Sequence, residues 1–470
     1  MTLSTPLLWI VFPIIVAGVS ALLYQRKALS IILASLSSLG LALLAALFPK
    51  NLTLSIGPMT MIFSENLGIL GRQISLPYEI LPFIAFIYIL TGLWILSSAL
   101  PGVPTPFRPI SLVMTSLFTA ALGVEPFLYA ALLIETAVLI SIPTLSPLAM
   151  QTHPGILRYL SLQTLALPFM LLAGWLLTGV ETLPPDSPLV GQSMLVLGLG
   201  FALLLGVFPF HSWVPMVSQN AHPVAMSFLL FLLPTTILMF GLNFLDRYTF
   251  LRESENLYRI IQMMGTIMII GGGAWTAFEK NLKRAFGYSA LTETGFSLLV
   301  IGLLQSGSLD WLMLLLPARA LGFLLWGYTL TLIDDLAGSL QTQSIKGFAH
   351  RYPIVSAGLI LAQLSIAGLP LLASFPTKIA IISSIFSANN NLGVWVSFGS
   401  LGLFLFTLRL ITILVTPEDI SNPIVWTISE TLNEYVPIII MVIALIILGL
   451  FPHLLLSGMT DILTSFIQLQ

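Results

Sequence analysis

The chain has 470 residues, of which 57% are apolar and only 8% are charged. Soluble globular proteins carry about 25% charged residues, so this composition excludes a soluble enzyme. The net charge of −2 argues against a nucleic-acid-binding protein, and the absence of cysteine excludes disulfides, thiolate nucleophiles, iron–sulfur ligation and cysteine-based zinc sites. Any electron transfer must therefore take place on another chain or on a noncovalent cofactor.

Apolar runs follow one another along the whole chain. Each has about 20 residues, the length that a helix needs to cross about 30 Å of hydrocarbon. The runs are 6–24, 28–48, 77–100, 109–124, 127–145, 158–178, 190–210, 223–245, 258–279, 285–304, 310–333, 353–388, 392–415 and 435–456. They predict an all-α polytopic membrane protein of about 14 transmembrane helices, without a soluble domain.

The first run begins at Pro6 and has neither a charged leader nor an Ala-x-Ala site, so we expect a retained first helix. Loop Lys and Arg residues predict the orientation. With the N-terminus outside, the inner loops hold Arg26, Lys27, Arg108, Arg158, Lys280, Lys283, Arg284, Lys346 and Arg351. The outer loops hold fewer basic residues, so the N-terminus is predicted to lie outside.

Five ionisable residues lie inside apolar runs: Glu135, Glu293, Arg319, Lys378 and Arg409. A charge at mid-bilayer costs about 2.5–3.5 kcal/mol on insertion scales. One interpretation is a proton or ion relay inside the helix bundle. The alternative is structural pairing between helices, or side chains that reach the membrane surface. The Glu135 side chain is too short to reach the membrane surface, which favours a relay role. Glu293 is compatible with both interpretations. The long Arg409 side chain can reach the surface, which favours a structural role.

Two segments interrupt the helical pattern. Pro209 and Pro215 flank His211 in the first, and Pro370 and Pro376 precede Lys378 in the second. Proline removes a backbone donor, and freed carbonyls at membrane depth must line a buried or wet cavity. Matched interruptions are typical of inverted-repeat transporters, although proline is also common in membrane helices.

The spacing of the two interruptions predicts two inverted five-helix repeats, 109–245 and 258–415. Additional N-terminal helices occupy 1–108, and a C-terminal helix and tail occupy 416–470. Gly271-Gly272-Gly273 has no strand before it and indicates close helix packing. The remaining histidines lack metal-ligand spacing. The sequence therefore predicts no catalytic residue, metal or cofactor on this chain.

The segment His211-Ser212-Trp213-Val214-Pro215 resembles the His-[Thr/Ser/Gly]-Trp-Leu-Pro signature of the antiporter-like membrane subunits of respiratory complex I. The same superfamily includes subunits of Mrp-type sodium/proton antiporters, membrane-bound hydrogenases and inorganic-carbon-uptake complexes. Further resemblances are Ile134-Glu135, Arg158-Tyr159, the Leu-Lys-Arg run that contains Lys283, and Ala367-Gly368-Leu369-Pro370 followed by Phe375 and Lys378. The resemblance implies fourteen helices with two inverted repeats. Lys283 is expected to be a structural residue in a loop.

The resemblance also implies that each repeat carries a proton through a glutamate–lysine pair and a central lysine. Glu135 and Lys378 keep this chemistry, but Leu204 and Thr236 stand where the family has lysines. Lysine can give up its proton in a buried site, whereas leucine has none to give. Arg319 also replaces a lysine, and arginine does not release a proton near neutral pH.

The N-terminal relay is therefore expected to be disabled, with no basic residue near Glu135. In the second repeat, Lys378 is expected within one or two waters of Glu293 or Arg319. We expect a non-redox, ion-translocating membrane subunit of a complex I-like NAD(P)H–quinone oxidoreductase, in a bacterial plasma membrane or a thylakoid, with homologous membrane subunits as partners. The alternatives are a subunit of a Mrp-type antiporter or inorganic-carbon-uptake complex, and a structural subunit that has lost transport.

Overall fold

The computed structural model describes residues 2–48, 53–56, 59–69, 71–146, 153–180, 187–304, 308–417, 426 and 429–469. In these ranges the chain forms eighteen α-helices and six short strands. The helices are α1 Phe12–Leu22, α2 Lys27–Leu47, α3 Leu81–Ser97, α4 Phe107–Gly123, α5 Leu128–Leu145, α6 Pro154–Val180, α7 Pro188–Leu205, α8 Trp213–Asn220, α9 Pro223–Arg247, α10 Thr249–Arg252, α11 Glu255–Phe278, α12 Leu282–Gly302, α13 Leu309–Ala337, α14 Pro353–Ala367, α15 Phe375–Ala388, α16 Asn390–Val415, α17 Leu432–Leu450 and α18 His453–Thr460.

Each predicted apolar run coincides with one helix or with a consecutive pair, which confirms the helical membrane fold. In the described ranges, ten helices are long and apolar enough to cross a membrane, and four shorter apolar segments accompany them. The total of fourteen spans stays a prediction. The helices α9, α12 and α13 are buried along most of their length, whereas α17 turns most of its surface outward.

Two small sheets were not predicted from the sequence. The first contains β1 Thr2–Ser4, β2 Thr53–Ile56 and β3 Met59–Ser64 in the order β1-β3-β2. The second contains β4 Asn66–Ile69, β5 Arg72–Ser75 and β6 Val124–Glu125, all antiparallel. These strands are far shorter than the 20-residue windows that reveal membrane helices. They tie the N-terminus and the α2–α3 and α4–α5 connections to one side of the helix bundle.

Contacts between the other connections support an up-and-down helix order. On the side opposite the sheets, the Lys27 ammonium donates to the carbonyls of Ala99 and Leu100. Asn281 and Gln341 form a bridge between the α11–α12 and α13–α14 connections. Alternate connections thus meet on the same side, as the predicted topology requires. Which side faces the cell interior stays a prediction.

Both predicted helix interruptions are present in the structure. The helix α7 ends at Gly206 with φ +64°, and α14 ends at Gly368 with φ +80°. Each is a Schellman end: the Val207 N–H donates to the Ala202 carbonyl at 2.8 Å, and the Leu369 N–H to the Leu364 carbonyl at 3.0 Å. Glycine is favoured at both ends because its missing Cβ permits a positive φ.

The prolines lie just beyond these helix ends. Pro209 precedes the 3₁₀ turn Phe210–Ser212, Pro215 lies in the first turn of α8, and Pro376 in the first turn of α15. Pro370 lies in the link between α14 and α15. None of these positions needs a helical N–H donor, so proline is tolerated there. The inverted relation of the two repeats stays a prediction.

Candidate functional site

The centre of the second predicted repeat contains three charged side chains that are shielded from solvent. Glu293 on α12, Arg319 on α13 and Lys378 on α15 have exposed fractions of 0%, 1% and 2%. We call these three residues the ion cluster. Apart from Lys283 and Arg284, every residue of α12 is buried, so the Glu293 carboxylate lies in the interior of the bundle.

Lys378 makes two direct contacts with the cluster region. Its ammonium forms an ion pair with Oε1 of Glu293 and donates a hydrogen bond to the Ile366 carbonyl. It also lies 4.6 Å from the ring centroid of Phe296, within the range of a cation–π contact. Because α14 ends at Gly368, the Ile366 carbonyl has no partner in a following helical turn. The interruption thus supplies a ligand for the lysine.

Arg319 holds the other side of the same glutamate. Its Nη2 donates to the Glu293 backbone carbonyl at 3.1 Å and to Oγ of Ser297, and its Nε lies 3.9 Å from Glu293 Oε2. Within the described residues, Nε and Nη1 of Arg319 and Oε2 of Glu293 are buried without a hydrogen-bond partner. Buried polar atoms of this kind commonly bind internal water.

The sequence predicted Lys378 within one or two waters of Glu293 or Arg319, and the structure places it in direct contact with Glu293. The cluster contains two basic groups and one acid. Full ionisation would leave an excess positive charge in a buried site, which is costly. Lysine can be neutral when buried, whereas arginine stays protonated. The arrangement can therefore hold and release one proton at the Lys378 amine.

Glu135 on α5 has a different environment. It is 8% exposed and accepts a hydrogen bond from Oγ1 of Thr164 on α6 at 2.6 Å. No nitrogen of a described Lys, Arg or His lies within 4 Å of its carboxylate. This agrees with the predicted lack of a basic partner, which followed from Leu204 and Thr236.

Leu204 and Thr236 are both buried. The Thr236 hydroxyl donates to the Leu232 carbonyl of its own helix at 2.9 Å. The Leu204 carbonyl lies two residues before Gly206 and accepts a hydrogen bond from Nε2 of Gln163 at 3.1 Å. The Leu204 carbonyl corresponds to the Ile366 carbonyl of the other interruption. It is bound by a neutral amide, whereas the Ile366 carbonyl is bound by the Lys378 ammonium.

The structure places His211 in the link between α7 and α8 rather than beside either glutamate pair. Its ring stacks on Phe208 with centroids 5.3 Å apart. Trp213 next to it is buried and packs against the Tyr159 ring at 5.1 Å. The signature segment therefore shapes the first interruption, where His211 was predicted as a helix-break residue.

Two predicted structural residues have partners near one end of the bundle. Lys283 forms an ion pair with Asp334 at 3.2 Å, and Arg409 donates to the carbonyls of Ala277 and Glu279 at the C-terminal end of α11. Cations at a helix C-terminus stabilise its free carbonyls. These contacts support the structural interpretation of both residues.

His222 was not predicted as part of any site. Its Nδ1 accepts the Val224 N–H at 3.3 Å and so caps α9. Burial lowers the pKa of His222 to about 4, and the nearby Lys283 acts in the same direction. His222 thus lies at the start of α9, where it feels the charges of the Lys283–Asp334 pair on α12 and α13.

Sequence reasoning also missed Gln163, which donates to the first interruption, and Thr164 and Ser297, which donate to Glu135 Oε1 and to the Glu293 backbone carbonyl. A weak signal existed for Ser297, because Ser289, Glu293 and Ser297 follow one another at four-residue spacing on α12. Within the described ranges, no group of three His, Cys, Asp or Glu residues is arranged to hold a metal ion.

Comparison with known proteins gives a family match over most of the chain. The family model described as "NADH:quinone oxidoreductase/Mrp antiporter, TM" matches residues 114–404. One relative, NADH-quinone oxidoreductase subunit N of Cytophaga hutchinsonii, is 24% identical over 315 residues, which are 64% of this chain and 67% of the relative. The same subunit of Psychrobacter arcticus is 26% identical over 249 residues, 52% of this chain and 50% of the relative.

Solved structures have the same fold over nearly the whole chain. A chain of the archaeal membrane-bound sulfane sulfur reductase superposes with a TM-score of 0.83 and 16% identity, covering 99% of this chain and 98% of the other. A chain of the Mrp complex from a Dietzia species superposes with a TM-score of 0.82 and 14% identity, covering 99% of this chain and 99% of the other. A chain of respiratory complex I from Thermus thermophilus superposes with a TM-score of 0.76 and 18% identity, covering 98% of this chain and 99% of the other. These identities establish the fold alone.

Proposed function

We propose a function for this chain from one premise: it belongs to the NADH:quinone oxidoreductase/Mrp antiporter family of membrane proteins. The chain is proposed to be an ion-translocating-type membrane subunit of a complex I-like NAD(P)H–quinone oxidoreductase. Its relatives named NADH-quinone oxidoreductase subunit N support this choice over a Mrp-type or inorganic-carbon-uptake complex. Redox chemistry would take place on other subunits, so the enzyme activity belongs to the whole complex.

The observation that carries the proposal is the buried contact between Lys378 and Glu293 beside an interrupted helix. An intramembrane charge is expensive, and broken helices at membrane depth are where transporters bind ions. The proton is carried on the Lys378 amine. Glu293 stabilises the charged form, and the Ile366 carbonyl accepts one of its hydrogen bonds. A shift of α15 that separates the ammonium from the carboxylate favours release of the proton, because the lysine then loses its counter-charge in a buried site.

The first repeat is proposed to contribute no proton-carrying lysine. Leu204 cannot bind a proton, and the Glu135 carboxylate has the neutral Thr164 hydroxyl as its hydrogen-bond partner. This environment also favours a second candidate, a structural subunit that has lost transport. The ion cluster of the second repeat opposes that candidate, because an unused cluster would cost stability without benefit.

Other membrane subunits, including homologous antiporter-like subunits, are the proposed partners, and the bilayer covers the remaining apolar surface. The proposed location is a bacterial plasma membrane, in keeping with the bacterial sources of the relatives. The exposed apolar faces of α1, α2, α6, α16 and α17 are available for lipid or for neighbouring subunits.

The test is the Lys378→Met variant in the assembled complex, with Arg409→Gln as the control. Arg409 is a basic side chain inside the membrane that binds carbonyls rather than the carboxylate. We expect Lys378→Met to lower proton translocation per electron transferred, while assembly and quinone reductase activity without a proton gradient are kept. If Lys378→Met pumps like the wild type, the structural candidate is correct.

A further inference from the structure

The ion cluster contains one more basic group than a glutamate–lysine pair requires. Arg319 is 1% exposed, and its charge cannot be removed near neutral pH. A residue that is always charged cannot carry the transported proton. The contact of Arg319 with Glu293 therefore needs an explanation other than proton transfer.

Most oxygens around the cluster accept hydrogen bonds from basic side chains, and the one that does not, Oε2 of Glu293, lies beside the Arg319 guanidinium. Hard cations such as Na⁺ are bound by carboxylate, carbonyl and hydroxyl oxygens. Lys378 binds Oε1 of Glu293 and the Ile366 carbonyl. Arg319 binds the Glu293 backbone carbonyl and Oγ of Ser297, and lies 3.9 Å from Oε2. A metal cation would have to displace a basic group from these oxygens, or bind Oε2 directly beside the positive Arg319 guanidinium.

The proton cycle makes the role of Arg319 specific. When Lys378 has released its proton, the Glu293 carboxylate would be an isolated buried anion if Arg319 were absent. Such an anion attracts any small cation, because charges interact strongly at low dielectric. With Arg319 in place the carboxylate keeps a counter-charge, and an entering Na⁺ meets a fixed positive group.

We propose that Arg319 is a specificity-determining residue that excludes alkali-metal cations from the Glu293 carboxylate and restricts the site to protons. The proposal rests on the proposed transport function, but it concerns which ion the site accepts. It assigns to Arg319 a fixed charge, whereas Lys378 carries the mobile one.

Equilibrium binding of radioactive sodium to the purified complex tests the proposal without requiring transport. The variants are Arg319→Gln, which removes the fixed charge, and Arg409→Gln, which removes an arginine outside the cluster. We expect Arg319→Gln to bind Na⁺ at least about tenfold more tightly than the wild type, equivalent to about 1.4 kcal/mol of lost repulsion. Arg409→Gln should bind like the wild type. Unchanged Na⁺ affinity in Arg319→Gln would overturn the proposal.

If Arg319→Gln does not assemble, the wild-type complex in membrane vesicles supplies the second measurement. Proton translocation should be unaffected when Na⁺ replaces choline at equal ionic strength, and inhibition specific to Na⁺ would refute exclusion. Failure of the transport function is recognised separately, because Lys378→Met would then pump like the wild type whatever the sodium-binding result.

Discussion

The two interrupted helices share a backbone design and differ in what binds it. Both end at a glycine with positive φ and a Schellman hydrogen bond. Two residues before that glycine, the Leu204 carbonyl accepts from the neutral amide of Gln163, and the Ile366 carbonyl accepts from the Lys378 ammonium. An interrupted membrane helix is therefore compatible with either a neutral or a charged ligand. The helix break creates the acceptor, and the side chain that binds it decides whether an ion can be held.

The largest expected difference in stability is between two glutamate-to-glutamine variants, one at Glu293 and one at Glu135. Glu293→Gln removes the only described carboxylate that contacts Arg319 and Lys378. Leaving buried charges without a partner costs about 3–5 kcal/mol, so the yield and thermal midpoint of the complex should fall sharply. Glu135→Gln should cost about 1 kcal/mol, because the amide oxygen still accepts from Thr164. Equal losses in the two variants would contradict the comparison.

The next largest effect is expected from alanine substitutions at the two helix-ending glycines, Gly206 and Gly368. Alanine at Gly206 or Gly368 is strained by the positive φ, at a cost of about 1 kcal/mol or more. A Cβ at Gly206 would lie 2.9 Å from Nε1 of the buried Trp213, and a Cβ at Gly368 would lie 2.9 Å from Cδ of Lys378. The tryptophan is rigid and the lysine chain is flexible. We expect Gly206→Ala to lower stability more, measured as the thermal midpoint, and Gly368→Ala to reduce proton translocation more. The reverse order would show that Lys378 tolerates displacement.

A smaller effect tests whether the first interruption is only structural. Gln163→Leu removes one buried hydrogen bond, with a net cost of about 1 kcal/mol. Gln262→Leu is a matched control, because Nε2 of Gln262 donates to the Gly302 carbonyl at 2.7 Å, away from both interruptions. Both variants should lose similar stability and translocate protons normally. A selective transport defect in Gln163→Leu would mean that the first repeat takes part in ion transfer.

The effect that is smallest near neutral pH concerns His222 at the start of α9. Burial lowers its pKa to about 4 from 6.5, so the unfolded chain binds a proton that the folded chain does not bind. The free energy of unfolding therefore falls as the pH falls from about 6.5 to about 4, by at most about 1.4 kcal/mol per pH unit. His222→Asn, which can still cap α9, should make the thermal midpoint less sensitive to pH in this window. An unchanged slope would show that other groups control it.

Much of this comparison could be predicted from the sequence. The helices follow from apolar runs of membrane length, and the interruptions follow from Pro209, Pro215, Pro370 and Pro376. The contact between Lys378 and a cluster partner follows from the cost of a lone charge in lipid.

Other features depend on long-range packing and could not be read from local patterns. The side chain that binds the first freed carbonyl comes from an element distant in sequence, since Gln163 lies 41 residues from Leu204. The contact between Thr164 and Glu135 could not be predicted either, because a threonine in an apolar helix usually hydrogen-bonds to the backbone of its own helix. The two small sheets consist of strands too short and too irregularly spaced to stand out.

The most direct test of the account measures proton translocation per electron in the Lys378→Met and Glu135→Gln complexes, both compared with the wild type at equal assembly. The account predicts that Lys378→Met translocates fewer protons and that Glu135→Gln translocates as many as the wild type. A loss in Glu135→Gln with normal translocation in Lys378→Met would contradict it.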